Sequence, residues 1–164
     1  MIGIQDAAHA TDVKKCKSVM GTMIFFGGSI IAWKSRLTPQ VATSSTEGEF
    51  YAAVFCAKQV KYFRCILLEL DALAPGSSKI YTDNEAALHM INERRPTPHA
   101  HHVEIQHFAV QEWCEAGDIV MHHLPGAINP SDVLHARHAR LAMGHYHPVS
   151  IGGPVSNSPA FFAS

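Results

Sequence analysis

Residues 44–53 read SSTEGEFYAA, and the rest of the chain can be placed around this stretch. Ser44 is followed three positions later by Glu47, and Thr46 by Glu49, so two overlapping capping boxes mark a helix start. Downstream, Phe50, Ala53, Val54, Ala57, Val60, Arg64, Leu67 and Leu68 recur at three- and four-residue spacing, with no Pro or Gly before Pro75. The spacing predicts one long helix, from the Ser44 cap to near Leu70, with one face in the core. Glu49 precedes Phe50 at the top of that face, which turns its carboxylate toward the protein. Taken alone, Glu47 and Glu49 are also readable as caps that complement the helix dipole. Other carboxylates must converge on Glu49 before it becomes chemistry.

The whole chain bounds the answer. Its 164 residues suit one domain with a core of its own. With 47% hydrophobic and 16% charged residues and a net charge of -1, it carries no basic clamp, so any grip on a polyanion is local or borrowed. Four cysteines, at 16, 56, 65 and 114, form no CxxC pair, which points to a reduced, intracellular setting and not to secretion. The apolar run Val19–Trp33 is interrupted by Gly21, Gly27 and Gly28 and is too short to span a bilayer, and the N-terminus does not resemble a signal peptide. A soluble protein with no membrane partner is expected.

Outward from the long helix, Ile2–Asp6 alternates as a short strand ending in a carboxylate, followed by an irregular polar stretch, Ala7–Lys17. Ser18–Phe26 and Ser29–Ser35 read as two strands of a hairpin turned at Gly27-Gly28. After the helix, Lys79–Thr82 is a brief strand that stops at Asp83, and Glu85–Asn92 is a short helix. His102–Glu115 is helical through Ile105, Phe108, Ala109, Glu112 and Trp113, stopping at Gly117. Ile119–His123 is a fifth strand, and Pro130–Met143 a last helix with Pro130 near its first turn. The expected architecture is an α/β fold, a five-stranded mixed sheet with helices on both faces, over residues 1–143. Residues 144–164 lack periodicity and are expected to be a disordered tail.

Four carboxylates stand out by position: Asp6 closing the first strand, Glu49 opening the long helix, Asp83 closing the fourth strand and Asp132 opening the last helix. Strand ends and helix starts meet at one edge of an α/β sheet, where ligands gather. Carboxylates gathered there repel one another unless cations neutralise them, and oxygen ligands select Mg²⁺ or Mn²⁺ over zinc. Two such ions roughly 3.5–4 Å apart are the apparatus of in-line phosphodiester displacement.

The segments IAWKSRLTPQVATSSTEGEFYAA, KIYTDNEAAL and HHVEIQHFAVQEWCEAGDIVMHHLPGAINPSDVL, with KSVMG before them, resemble the ribonuclease H domain that closes the reverse-transcriptase polyprotein of copia-type LTR retrotransposons. The match covers about residues 2–134 in consistent order. The resemblance implies a ribonuclease H-like fold and a metal-dependent endonuclease that hydrolyses the RNA strand of RNA/DNA hybrids with two Mg²⁺ ions, for which Mn²⁺ can substitute. It carries the catalytic and metal-binding roles to Asp6, Glu49, Asp83 and Asp132. Ala8 stands where the family has a second Asp, and Val133-Leu134-His135 follow Asp132 where the family continues differently, so the last helix is open to being rebuilt or shortened.

Substrate contacts are expected from Asn84, beside Asp83 and suited to a ribose 2′-hydroxyl, and from Ser45, Lys17 and Lys34. Thirteen Lys and Arg face fourteen Asp and Glu, and the cations are scattered over Lys14, Lys15, Lys17, Lys34, Arg36, Arg94 and Arg95. An isolated, monomeric domain is therefore expected to hold a hybrid weakly and to rely on the adjoining reverse-transcriptase domain. Cytoplasm, nucleus or a virus-like particle would be its setting. Two other readings compete. A decayed copy would be a folded but inactive nucleic-acid-binding or structural module. The histidine clusters around 99–102, 122–123 and 135–138, with Cys114, suggest zinc, although none has a known finger spacing.

Overall fold

The computed structural model describes residues 1–12, 17–92 and 101–134, with side chains at all of these except positions 9–12, 101–107, 127, 132 and 133. Five strands make one mixed sheet in the spatial order β3-β2-β1-β4-β5. They are β1 (Ile2–Asp12), β2 (Lys17–Phe26), β3 (Ser29–Leu37), β4 (Ser78–Thr82) and β5 (Ile119–His123). The first three form an antiparallel meander, and β4 and β5 add in parallel to β1. The β2–β3 turn uses Gly27 and Gly28 at φ 58 and 80, left-handed values that glycine adopts without penalty.

Three helices, α1 (Ser45–Glu69), α2 (Glu85–Asn92) and α3 (His101–Glu115), cover one face of the sheet. Strand alternation sends Met20, Ile24, Ile80 and Ile119 toward them, where they pack with Phe50, Ala53, Val54, Ala57 and Val60 of α1, Ile91 of α2 and Val110 of α3. The opposite face buries Ile4, Met23 and Phe25 against Leu124 and Leu134, the latter from a short 3₁₀ helix, Pro130–Leu134. The α1 face follows the predicted spacing up to Arg64. This buried guanidinium is paired, with Nε donating to Asp118 Oδ1 (3.2 Å) and Nη1 to Ser78 Oγ (3.3 Å), while Lys61 also meets Asp118.

Close approach of α1 to β1 depends on Gly3. A Cβ there would lie 2.7 Å from Val60 Cγ2 and 2.8 Å from Cys56 Sγ. Gly3→Ala is expected to cost about 1–3 kcal/mol through overpacking, measurable as a lower urea midpoint; an unchanged midpoint would show that the layers are loose here.

Several expectations are corrected. β1 does not stop at Asp6: it pairs with β2 through Ala8 and again at Asp12↔Lys17, with a register shift between. The ladder bonds backbone, so a polar stretch without alternation extends the strand as readily as an apolar one. Among the described side chains of α3, Val110 is buried and Trp113 packs against the core as expected, whereas Phe108 is 50% exposed, so the inward face runs through 110, 113 and 114. Leu68 at the end of α1 is also exposed. The expected helix from Pro130 begins as 3₁₀ turns over Pro130–Leu134; its continuation to Met143 and the tail at 144–164 lie outside the described residues. No described helix is long and apolar enough to cross a membrane, and the described cysteines, Cys56, Cys65 and Cys114, are free thiols.

Candidate active site

Sheet order changes direction at β1: the chain moves from β1 to β2 and β3 on one side and to β4 and β5 on the other. The crevice beyond such a switch point is where α/β sheets place ligands. The last β1–β4 pair is Ile4↔Tyr81, so Asp6 and Asp83 each stand two residues past it, side by side where the two strands part. Asp6 is thus in the middle of β1 and not at its end; what ends beside it is the pairing with β4.

Glu49 reaches the same place from α1. Its helix is capped by Ser44, whose backbone is extended and whose Oγ accepts the Glu47 N–H at 3.1 Å. Glu47 does not close a capping box on Ser44. Its Oε2 accepts from the N–H and hydroxyl of Thr43 (2.6 and 2.7 Å), and the Tyr51 hydroxyl donates to its Oε1 at 3.0 Å. Burial opposes the Glu47 charge, but these bonds outweigh it and hold the pKa below its ordinary value. One turn's worth of capping is therefore complete without Glu49, whose side chain is buried and turned inward.

Ligand oxygens of Asp6, Glu49 and Asp83 all lie within 4.8 Å of one another. The Ala7 N–H serves two of them, donating to Asp6 Oδ1 (2.8 Å) and Glu49 Oε1 (3.1 Å). Glu49 Oε2 and Asp83 Oδ1 are buried and meet no hydrogen-bond donor. Burial, then the negative charges of Asp6 and Asp83, push the Glu49 carboxyl up to about 9. Asp83 is raised as well, by burial and then by Asp6, with its own backbone N–H, Asn129 and His123 opposing. Such a cluster takes up either protons or cations. Two orphaned buried oxygens beside a third carboxylate fit a hard divalent ion. Gly126 leaves room for the group, since a Cβ there would come 3.2 Å from Asp83 Oδ2.

Asp132 sits on the 3₁₀ helix Pro130–Leu134, and its carboxylate is outside the described side chains. The backbone around it is nevertheless tied to the site by a residue the sequence reading passed over. Buried Asn129 donates from Nδ2 to Gln5 O (3.2 Å), accepts at Oδ1 from Ser131 N–H (3.1 Å) and Ser131 Oγ–H (2.6 Å), and hydrogen-bonds Asp83. One amide thus links β1 next to Asp6, the Asp83 carboxylate and the turn that carries Asp132. An Asx turn just before Pro130 was the available signal. Asn129→Ala leaves several buried groups unpaired and is expected to cost about 2–4 kcal/mol, again as a lower urea midpoint; a midpoint within error of the parent would dismiss the linking role.

The other expected contacts separate. Asn84 caps α2, its Oδ1 accepting from Ala87 N–H (2.9 Å). Ser45 is exposed in the first turn of α1. Lys17 donates to Pro39 O (2.6 Å), and Lys34 lies over the Phe55 ring. Lys14, Lys15, Arg94 and Arg95 lie outside the described residues. Among the described histidines, His122 stacks on Tyr81 and His123 Nε2 sits 3.1 Å from Asp83 O; the one metal-suited group among the described residues is the carboxylate triad.

The solved structures that share this architecture include LC11-RNase H1 in complex with an RNA/DNA hybrid, at 14% identity and TM-score 0.59 over 87% of this chain and 98% of that one. RNase H1 from Halobacterium salinarum NRC-1 aligns at 15% identity and TM-score 0.58, over 81% and 92%. By sequence the chain is 27% identical over 132 residues, 80% of its length, to the retrovirus-related Pol polyprotein from transposon TNT 1-94 of Nicotiana tabacum. The chain is a ribonuclease H-fold relative of transposon Pol polyproteins. No family model matches it, and it spans about a tenth of the length of the curated polyproteins it matches. The ribonuclease H fold explains why the triad lies where it does: the β1/β4 switch point and the start of α1 are brought together by topology.

Proposed function

We propose that the chain is a metal-dependent endonuclease that hydrolyses the RNA strand of RNA/DNA hybrids, leaving a 5′-phosphate and a 3′-hydroxyl. The observation that carries this reading is the triad: three carboxylates from three separate elements with ligand oxygens within 4.8 Å, two of those groups keeping a buried oxygen unpaired. Asp6, Glu49 and Asp83, with Asp132, would hold two Mg²⁺ ions, or Mn²⁺ in their place. Bound ions there would supply Lewis-acid activation of water and neutralise charge developing on the leaving oxygen. Water adds to phosphorus, the bond from phosphorus to the 3′-oxygen breaks, and the proton lost by water is balanced by the one gained by the leaving oxygen.

The chain's own residues divide the work by position. Asp6 and Asp83, adjacent across the parting strands, would share the ions; Glu49 would help hold the ion that neutralises the leaving oxygen and Asp132 the ion that activates water. Asn84 offers its NH₂ next to Asp83 to a ribose 2′-hydroxyl, the group that separates RNA from DNA. Ser45 and Lys17, exposed or half-buried at the mouth of α1 and β2, contact the backbone. With a net charge of -1, the domain leans on a neighbouring reverse-transcriptase module for much of its grip. The test is cleavage of an end-labelled RNA/DNA hybrid in Mg²⁺ or Mn²⁺, with EDTA as control. Metal-dependent cuts confined to the RNA strand are expected; a folded protein that cuts no hybrid in either metal would replace this reading with that of an inactive module.

A further inference from the structure

Of the three clustered carboxylates, Asp83 alone stands outside a strand or helix. Asp6 lies in mid-strand and Glu49 in α1, and the Ala7 N–H donates to both. The β4–β5 pairing ends one residue before Asp83, at Thr82↔His123, where the Leu124 N–H donates to Thr82 O (2.8 Å). A carbonyl beyond the end of a ladder needs another donor, and for Asp83 a side chain supplies it: His123 Nε2 lies 3.1 Å from Asp83 O. A carbonyl only accepts, so Nε2 carries a hydrogen in this contact. The other ring nitrogen, Nδ1, is 3.9 Å from Oε1 of Glu85, the first residue of α2. One imidazole at the end of β5 therefore spans the turn from β4 to α2, meeting residue 83 at its backbone and residue 85 at its side chain.

The consequence is mechanical. The peptide unit after Asp83 is held at both of its polar groups, Asp83 O by His123 and the Asn84 N–H by Thr82 Oγ1 (3.3 Å). The unit before it is held by the Leu124 N–H on Thr82 O. Peptide units are planar, so fixing the two that flank a residue fixes its φ and ψ and the direction of its side chain. The geometry points to His123 as a positioning residue that clamps the peptide after Asp83, aims the buried, unpaired Oδ1 and thereby gives the carboxylate site the fixed shape that a small ion demands. This rests on the metal-dependent reading of the triad and adds to it the residue that sets ion preference. Mg²⁺ requires near-ideal octahedral geometry, whereas Ca²⁺ tolerates displaced oxygens. A loosened Asp83 costs the smaller ion more.

The test compares two replacements of the ring. The side-chain nitrogen of Gln reaches the place of Nε2, and that of Asn only the place of Nδ1. Melting in EDTA reports the fold, and the rise in melting temperature over a titration with Mg²⁺ alone, or with Ca²⁺ alone, gives the apparent affinity. His123→Asn is expected to weaken Mg²⁺ binding by about 10–100-fold and Ca²⁺ binding by less, and His123→Gln to recover most of the Mg²⁺ affinity. His122→Asn, which removes the ring stacked on Tyr81, is expected to leave both affinities in place. Equal Mg²⁺ affinity in His123→Asn and the parent, no recovery in His123→Gln, or equal losses for the two ions would each overturn the positioning role. Cleavage of the hybrid by the parent alongside any of these results leaves the nuclease standing without the clamp; a parent that binds neither ion would take down the metal reading and this role together.

Discussion

Asp83→Asn is expected to abolish metal-dependent cleavage while raising the melting temperature of the protein in EDTA. Asn keeps the shape of Asp and the hydrogen-bonding capacity toward Asn129, but it removes a charge that sits with Asp6 and Glu49 inside 4.8 Å. Without metal that charge only repels, and its removal also eases Glu49 toward its ordinary pKa, because Asp83 is one of the groups that raise it. With metal the same oxygen would serve as a ligand. Its loss should exceed the roughly 10–100-fold that follows from losing a residue that merely supports a ligand. Cleavage rates and thermal melts on the same preparations check both halves. Equal turnover by the variant and the parent in the same Mg²⁺ would remove Asp83 from the active site; a lower melting temperature in EDTA would show that its charge is not under strain.

In EDTA, stability should fall steadily as pH rises from about 5 to 9, and millimolar Mg²⁺ or Mn²⁺ should restore it most at the alkaline end. Glu49 carries the sign. Its folded-state value is raised to about 9 by burial and by Asp6 and Asp83, against about 4.3 in an unfolded chain. Between those values the fold keeps a proton that the unfolded chain has released. Stability is therefore complete below about 4.3 and lost as pH climbs through the folded value. A shift of this size is worth several kcal/mol across the window, or about 10 °C in melting temperature for a domain of this length. Asp118 works in the opposite sense: its bond to Lys61 depresses it despite burial, so its contribution is lost only in acid, outside the window. Divalent ions that bind the folded state alone would take the place of the proton and stabilise by mass action. Melts that are flat with pH in EDTA, or indifferent to metal at pH 9, would mean that the three carboxyl groups are not a coupled site.

Local chemistry was legible from the sequence. The Ser44 cap and the spacing from Phe50 to Arg64 place α1; Gly27-Gly28 places the β2–β3 turn; Ile119–His123 is found with its observed limits. Capping, turn conformation and apolar period act within a few residues, so they are written in the chain itself. The identities of Asp6, Glu49 and Asp83 also follow from position relative to those elements. Tertiary structure alone decided the rest. Asp6 lies in mid-strand because the β1–β4 ladder, not β1, ends beside it, and register between distant segments has no local signature. Glu49 leaves the capping of α1 to Ser44 and, next to buried Phe50, accepts the Ala7 N–H of β1 instead. Its proton affinity, the Asn129 link and the sharing of one Phe55 ring by Lys34 and Arg36 all depend on desolvation and on distances between residues far apart in the chain, which are properties of the packed fold and not of any stretch of sequence.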